Sequence, residues 1–178
     1  MLGGSLGRVA SQPNRSSEAP VSREAVRAIL IDGRGRTLLF KAFNDVGMSR
    51  PFWITPGGGT ATGETDSTAL RRELAEECAL HQFEIGPLVW MREVVFPLPG
   101  TGELIRQKER FYLVRVESHE VDISGWDEFE RRFMADPRWW TVEELQESSD
   151  AFAPAALASH LVDLIQGRIP AEPFDIGG

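Results

Sequence analysis

An α/β sandwich with a mixed sheet is the fold class this sequence predicts, and three observations point to it. Short apolar runs alternate with helical patterns along the chain, the order expected when helices cover a sheet. The stretch from Asp66 to Cys78 contains no Gly or Pro and places Leu70, Leu74 and Cys78 at i, i+4 and i+8, an apolar stripe that faces a core. The chain has 178 residues, 42% of them hydrophobic, which suits one well-formed core in one domain.

The elements follow in order. Met1 to Pro20 is rich in Gly, Ser, Pro and Arg and lacks the apolar centre of a signal peptide. Residues 1–21 are therefore expected to form a flexible tail, with the domain over residues 22–168 and a second tail at 169–178. Arg23 to Ile31 reads as a strand buried on both faces, through Ala25, Val26, Ala28, Ile29, Leu30 and Ile31. Asp32-Gly33-Arg34-Gly35 is a turn, and Thr37 to Phe43 returns as a second strand. Asn44 to Pro51 is a loop. Phe52 to Thr55 is a short strand that Pro56 stops, and it leads into a run of glycines. Thr65 or Asp66 caps the helix that follows, because either side chain can accept from a free amide of the first turn. Leu88 to Phe96 and Glu103 to Val116 are two strands joined by the turn-forming run Pro97 to Gly102. Asp127 to Met134 carries Phe129 and Phe133 at i, i+4 and reads as a short helix. Arg138-Trp139-Trp140 is expected to be the last short strand. Thr141-Val142-Glu143-Glu144 has the form of a capping box. Leu157, Leu161, Leu164 and Ile165 then form an amphipathic helix that ends at Gly167.

Charge and composition narrow the function classes. A net charge of −8 argues against a protein that coats nucleic acid, which needs a basic surface. A single cysteine, Cys78, allows no internal disulfide and suits a reducing cytoplasm. No apolar run approaches a membrane span. An acidic protein that handles an anionic phosphate needs cations to bridge the two.

The residues that carry chemistry lie between Gly57 and Leu80. Gly57, Gly58, Gly59 and Gly63 permit positive φ and close approach of backbone to a ligand. Glu73, Glu76 and Glu77 sit at i, i+3 and i+4 and share one helix face beside the apolar stripe. On a helix taken at random such a face is simply solvated; a glycine turn and Glu64 just upstream point instead to a site. Clustered carboxylate oxygens suit Mg²⁺ or Mn²⁺. No Cys/His cluster competes, since His81, His119 and His160 are scattered. Arg72 can clamp a carboxylate with both prongs of its guanidinium.

Gly58, Glu64, Arg72, Glu73, Leu74, Glu76, Glu77 and Leu80 fall in register on the signature of the Nudix hydrolases, G-x5-E-x7-R-E-U-x-E-E-x-G-U with U aliphatic. Only Ala79 departs, where that family usually has glycine. The resemblance is specific from Gly57 to Leu80 and extends over roughly Ser22 to Gly167. It implies a Nudix-like α/β/α sandwich with a mixed sheet and the motif as loop–helix–loop. It implies a metal-dependent, MutT-like pyrophosphohydrolase that cleaves a nucleoside diphosphate linked to another moiety by water attack on phosphorus. It assigns Gly57 (through its carbonyl), Glu73, Glu76 and Glu77 to the metal. Gly58, Glu64 and Arg72 become supports, with Arg72 paired to motif glutamates. Glu64 either binds metal through water or holds the loop, and a loop–helix salt bridge alone is the plainer alternative. Glu76 and Glu77 are the principal catalytic carboxylates. The general base is a motif glutamate or one outside it: Glu109 foremost, Glu128 or Glu130 otherwise. The expected partner is a small nucleoside diphosphate derivative, with no nucleic-acid polymer and no membrane; a homodimer is left open.

Substrate-binding residues are not readable. Trp53, Trp90, Trp139 and Trp140 offer rings for a base but are more often core. Arg106, Lys108 and Arg110 share a strand face and either meet an outer phosphate or form a wet sheet edge. Two rival classes remain. An isopentenyl-diphosphate isomerase-like enzyme relies on a cysteine outside the motif, whereas Cys78 lies on the apolar side of the motif helix. A non-catalytic nucleotide-sensing module usually has an eroded motif and an attached DNA-binding segment, and here all three motif glutamates are present.

Overall fold

A computed structural model describes residues 19–43 and 50–177. Its elements in chain order are β1 (Val21–Ile31), β2 (Thr37–Ala42), β3 (Phe52–Ile54), α1 (Asp66–Cys78), β4 (Ile85–Pro97), β5 (Leu104–Arg115), α2 (Glu128–Phe133), β6 (Met134–Trp140), α3 (Val142–Glu147), β7 (Ala151–Ala153), α4 (Leu157–Ile165) and β8 (Phe174–Asp175). Most of the loop expected from Asn44 to Pro51, and most of the expected N-terminal tail, lie outside the described residues.

The strands form one mixed sheet in the order β7-β3-β2-β1-β5-β4-β8, with β6 also paired to β2. β1 runs parallel to β5 along its whole length, from Val21↔Ile105 to Ile31↔Arg115. β4 and β5 form a long antiparallel pair. Two apolar layers sandwich the sheet. On one face Val26, Ala28, Leu30, Leu38 and Phe40 meet Leu70, Leu74 and Cys78 of α1. On the other face Ile29, Ile31, Phe111 and Leu113 meet Leu145 of α3 and Leu157, Leu161 and Leu164 of α4. This is the α/β/α arrangement expected from the strand and helix order.

Two short strands escape the sequence. Arg138 to Trp140 is not the last strand: β7 pairs in parallel with β3, and β8 pairs in parallel with β4. Each extends a sheet margin and adds one ring to it, Phe152 against Trp140 and Phe174 against His160, and runs of two or three residues carry no readable period. The sheet therefore extends past residue 168, into the segment expected to be a tail; the Ile176 amide donates to the Met91 carbonyl at 3.0 Å.

Helix α1 is tied down at both ends. Thr65 is the N-cap, its hydroxyl accepting from the Thr68 amide at 3.2 Å. Asp66, the other candidate cap, opens the first turn and accepts from Arg110 Nε at 2.6 Å, Arg110 Nη2 at 2.8 Å and the Tyr112 hydroxyl at 2.6 Å. Those partners, mainly Arg110, hold the Asp66 carboxyl below its usual range. At the other end Ala79 adopts φ 54° and ψ 31°, a left-handed residue after the last helical one. The Leu80 amide then closes a six-residue return bond to the Leu74 carbonyl at 3.0 Å. Glycine enters this conformation without the Cβ clash that alanine carries.

Ala79→Gly is therefore expected to stabilise the fold by up to about 1 kcal/mol, the relief of left-handed strain less the extra freedom glycine has when unfolded. Urea unfolding of both proteins measures it. A loss of 1 kcal/mol or more would show that the helix end gains nothing from glycine.

Candidate active site

β1 is the scaffold on which the site is assembled. One edge pairs with β5, and the part of the other edge beyond β2 receives the glycine turn. The Val26 amide donates to the Gly58 carbonyl at 2.9 Å, and the Ala28 amide to the Pro56 carbonyl at 2.9 Å. The approach is close enough to require glycine. At Gly57, with φ +120°, a Cβ would overlap the Val26 carbonyl oxygen. At Gly58 a Cβ would lie 2.6 Å from Glu73 Oε2. The turn is thus docked between a strand edge and the carboxylates of α1.

Arg72 joins loop to helix. Its Nε and Nη2 donate to the two oxygens of Glu64, each at 3.1 Å. Nη2 also donates to the Gly59 carbonyl at 3.0 Å, and Nη1 to Glu73 at 2.7 Å and Glu76 at 3.1 Å. Glu64 in turn accepts from the Ala61 amide at 2.9 Å. Here Glu64 holds the loop, and the Arg72 pairing, with that amide, keeps it well below the usual carboxylate range.

The three motif glutamates sit in different surroundings. Glu76 is exposed and held by Arg72 alone. Glu73 is buried against the glycine turn, and burial raises its pKa despite Arg72. Glu77, 4% exposed, accepts from the Gly57 amide at 2.6 Å. Burial, reinforced by the charge of Glu73, pushes Glu77 up to about 8. The Trp126 indole donates to the Glu77 carbonyl at 2.7 Å and brings α2 alongside. Glu130 of α2 accepts from the Asp127 amide at 2.7 Å as half of a capping box. Its pKa is raised by burial and by the nearby charges of Asp127, Glu73 and Glu76. Glu128 is exposed.

Glu109 is placed differently from the water-facing base expected of it. It is 2% exposed, and both oxygens are committed. Oε1 accepts from Arg27 Nε at 2.9 Å and Gln107 Nε2 at 2.8 Å; Oε2 accepts from Arg92 Nε at 2.6 Å. Burial opposes its charge, but Arg27 and Arg92 overcome that and hold it below its usual value. A base needs an oxygen aimed at water and a pKa near the working pH, and Glu109 has neither. It anchors Arg27, whose Nη1 donates to the Gly57 and Thr55 carbonyls. Arg27 and Arg92 are absent from the sequence reading. The available signal was a charge, Arg27, inside the otherwise apolar run from Ala25 to Ile31.

The tryptophans offered for base stacking are mostly core: Trp53, Trp90 and Trp140 are buried, and Arg36 lies over Trp139. β5 is an interior strand, so Arg106 and Arg110 do not mark a sheet edge. Arg106 pairs with Glu93, and Arg110 pairs with Asp66 and Glu24. Cys78 is fully buried, donates to the Leu74 carbonyl at 3.1 Å, and is pushed up to about 12 by burial. Such a thiol cannot move protons for an isomerase.

The donor set fits a hard divalent cation. Glu73, Glu76 and Glu77 supply carboxylate oxygens, Gly57 supplies a carbonyl, and the mutual repulsion of Glu73 and Glu77 is what a cation relieves. Among the described residues no three such side chains already converge on one point. Arg72 draws Glu73 and Glu76 one way, and the Gly57 amide draws Glu77 another.

Fold and site together define an enzyme that handles phosphates. The chain matches the family model described as the NUDIX domain over residues 21–161. It belongs to the Nudix family and is a hydrolase acting on phosphoric anhydride bonds. Among curated proteins it is similar to the RNA pyrophosphohydrolase of Wolbachia sp. subsp. Drosophila simulans (strain wRi), 28% identical over 140 residues, covering 73% of this chain and 81% of that one. Among solved structures it resembles the MutT protein from Methanosarcina mazei Go1, with TM-score 0.60 and 17% identity, covering 85% of this chain and 98% of that one. The E. coli ORF135 protein aligns with TM-score 0.56 and 21% identity, covering 86% and 96%. At these identities the solved structures speak to the fold.

Glu109→Gln is expected to destabilise the protein by about 3 kcal/mol at neutral pH, because two half-buried arginines lose their counter-charge. The folded pKa of Glu109 is depressed, so its contribution is present above the unfolded value of about 4.3 and fades as pH falls through the lower folded value. Urea midpoints at pH 7 and pH 3 should show the gap between wild type and variant narrowing; equal stability at pH 7 would refute the anchoring role.

Proposed function

We propose that this chain is a Mg²⁺- or Mn²⁺-dependent pyrophosphohydrolase that cleaves a nucleoside diphosphate linked to another moiety. The observation that carries the reading is the docking of the glycine turn onto the carboxylate helix through Arg72 and the Gly57–Glu77 bond. When bound, the cation neutralises phosphate charge and lowers the pKa of a bound water. Glu73, Glu76, Glu77 and the Gly57 carbonyl are the groups that hold it. Arg72 orients Glu73 and Glu76, and the Gly57 amide orients Glu77. Glu130 takes the place of Glu109 as the base outside the motif: its burial and the neighbouring glutamates raise its proton affinity, as the task requires. A cytoplasmic location belongs to the same proposal. No helix among the described residues is long and apolar enough to cross a membrane.

A second reading takes the end of an RNA chain as substrate, on the strength of the name that several curated relatives share. The net charge of −8 weighs against it.

Incubation of a panel of nucleoside diphosphate derivatives and a 5′-triphosphate RNA oligonucleotide with Mg²⁺ or Mn²⁺ in ¹⁸O-labelled water separates these readings. Label is expected in one phosphate product of a small nucleotide. Cleavage of the RNA alone would select the second reading, and no cleavage of any member would overturn both. Glu77→Gln is expected to weaken metal affinity and to lower turnover by about a hundredfold or more, with the fold intact. Unchanged activity would remove Glu77 from the site. Glu130→Gln is expected to lower kcat at unchanged Mn²⁺ affinity, and an unaltered kcat would dismiss Glu130 as base.

A further inference from the structure

We infer that Arg23 binds an outer phosphate of the substrate, seated on Gly59 of the motif loop. The inference rests on the pyrophosphohydrolase reading of the same site. β1 places Arg23 opposite Gln107 of β5, and strand alternation puts Arg23 and Arg27 on one sheet face. The guanidinium stands edge-on to the loop: a Cβ on Gly59 would meet its Nε and Nη2 at 2.5 Å and its Cζ at 2.9 Å, so the Nε–Nη2 edge faces Gly59 and Nη1 is turned away from it. Its electrostatic neighbours are Arg27, Glu73 and Glu109.

What sets Arg23 apart is that its donors are unspent. Arg27 and Arg92 are engaged by Glu109, and Arg72 by three glutamates and a carbonyl. Arg110 is engaged by Asp66 and Glu24. The Arg23 side chain makes no hydrogen bond and no ion pair with any described residue. Its side chain opens to solvent. The Nη1–Nη2 edge, a planar pair of N–H donors that no carboxylate engages, lies beside Glu73 and suits a phosphate oxygen pair. Gly59 allows this seat, since any larger residue displaces the flexible tip of Arg23.

Arg23→Met is expected to raise KM for the nucleotide cleaved in the panel by about 10- to 100-fold, the size of a charge-assisted hydrogen bond to phosphate, with kcat little changed. Arg23→Lys should recover part of the loss. Calorimetry with inorganic tripolyphosphate and Mg²⁺ should show the same weakening, while Mn²⁺ affinity read by electron paramagnetic resonance stays constant. Gly59→Ala should raise KM in the wild type and add little in the Arg23→Met background, because both changes remove one contact. An Arg23→Met protein with unaltered KM and unaltered tripolyphosphate affinity overturns the inference. Should the wild type cleave no nucleotide, the pyrophosphohydrolase reading fails on its own, and tripolyphosphate binding by wild type and Arg23→Met still decides the role of Arg23.

Discussion

Crowding of carboxylates is the constraint around which this structure is arranged. Glu73, Glu76 and Glu77 occupy neighbouring positions of one helix, with Glu64 and Glu130 close by. Exposed like charges at such spacings cost only tenths of a kcal/mol each. Burial makes the problem sharper, as the upward shift of Glu77 shows. Two arginines from different elements oppose the repulsion. Arg72 meets Glu64, Glu73 and Glu76 at once, which its planar fork permits and a lysine ammonium would not reproduce. Arg27 adds charge from the sheet side without touching Glu77, and is itself held by Glu109. The helix keeps its place because Leu70, Leu74 and Cys78 are packed into the sheet while the charged groups are tied at its flank.

The glycines serve docking more than motion. Backbone pairing of Val26 with Gly58 and of Ala28 with Pro56 makes the turn a partial extension of the sheet. The carbonyl of Gly57 is thereby placed by β1, the strand that also carries its donor Arg27. A shift of β1 would move the carbonyl, the arginine and the helix contact together. Loop, strand and helix are therefore joined into one support, the condition under which a cation site can be held to a narrow geometry.

Local information made α1 legible: a capping residue, an apolar stripe and three acids at helical spacing all lie within one stretch of sequence. The left-handed Ala79 was legible too, because the motif places glycine where the helix must turn back. The same holds for the Thr141–Glu144 capping box, which the structure contains. What escaped detection depends on partners far apart in the chain. Arg27 and Glu109 are separated by 82 positions, and nothing near Glu109 announces that both its oxygens are taken. Its alternation with Arg106, Lys108 and Arg110 showed which face it occupies but not what lies on that face. The strands β7 and β8 are defined by the edges they join and not by their own residues.

Charge accounting links the site to the kind of substrate it can take. The chain is acidic overall, and most arginines near the motif are already matched to carboxylates. A polyphosphate brought to this face is repelled by the carboxylates of Glu73, Glu76 and Glu77. Divalent cations are the natural remedy, since they bind the carboxylates and the phosphates together. Paired arginines shape the site and contribute little net attraction at a distance. Long-range attraction for a polymer would require a continuous basic track, and the surface charges on β5 alternate with acidic partners on β4 and α1 instead. On the proposed reading, such a site would discriminate by what fits between Glu73, Glu76 and Glu77 and the guanidinium of Arg23, which favours a compact anhydride over an extended nucleic-acid backbone.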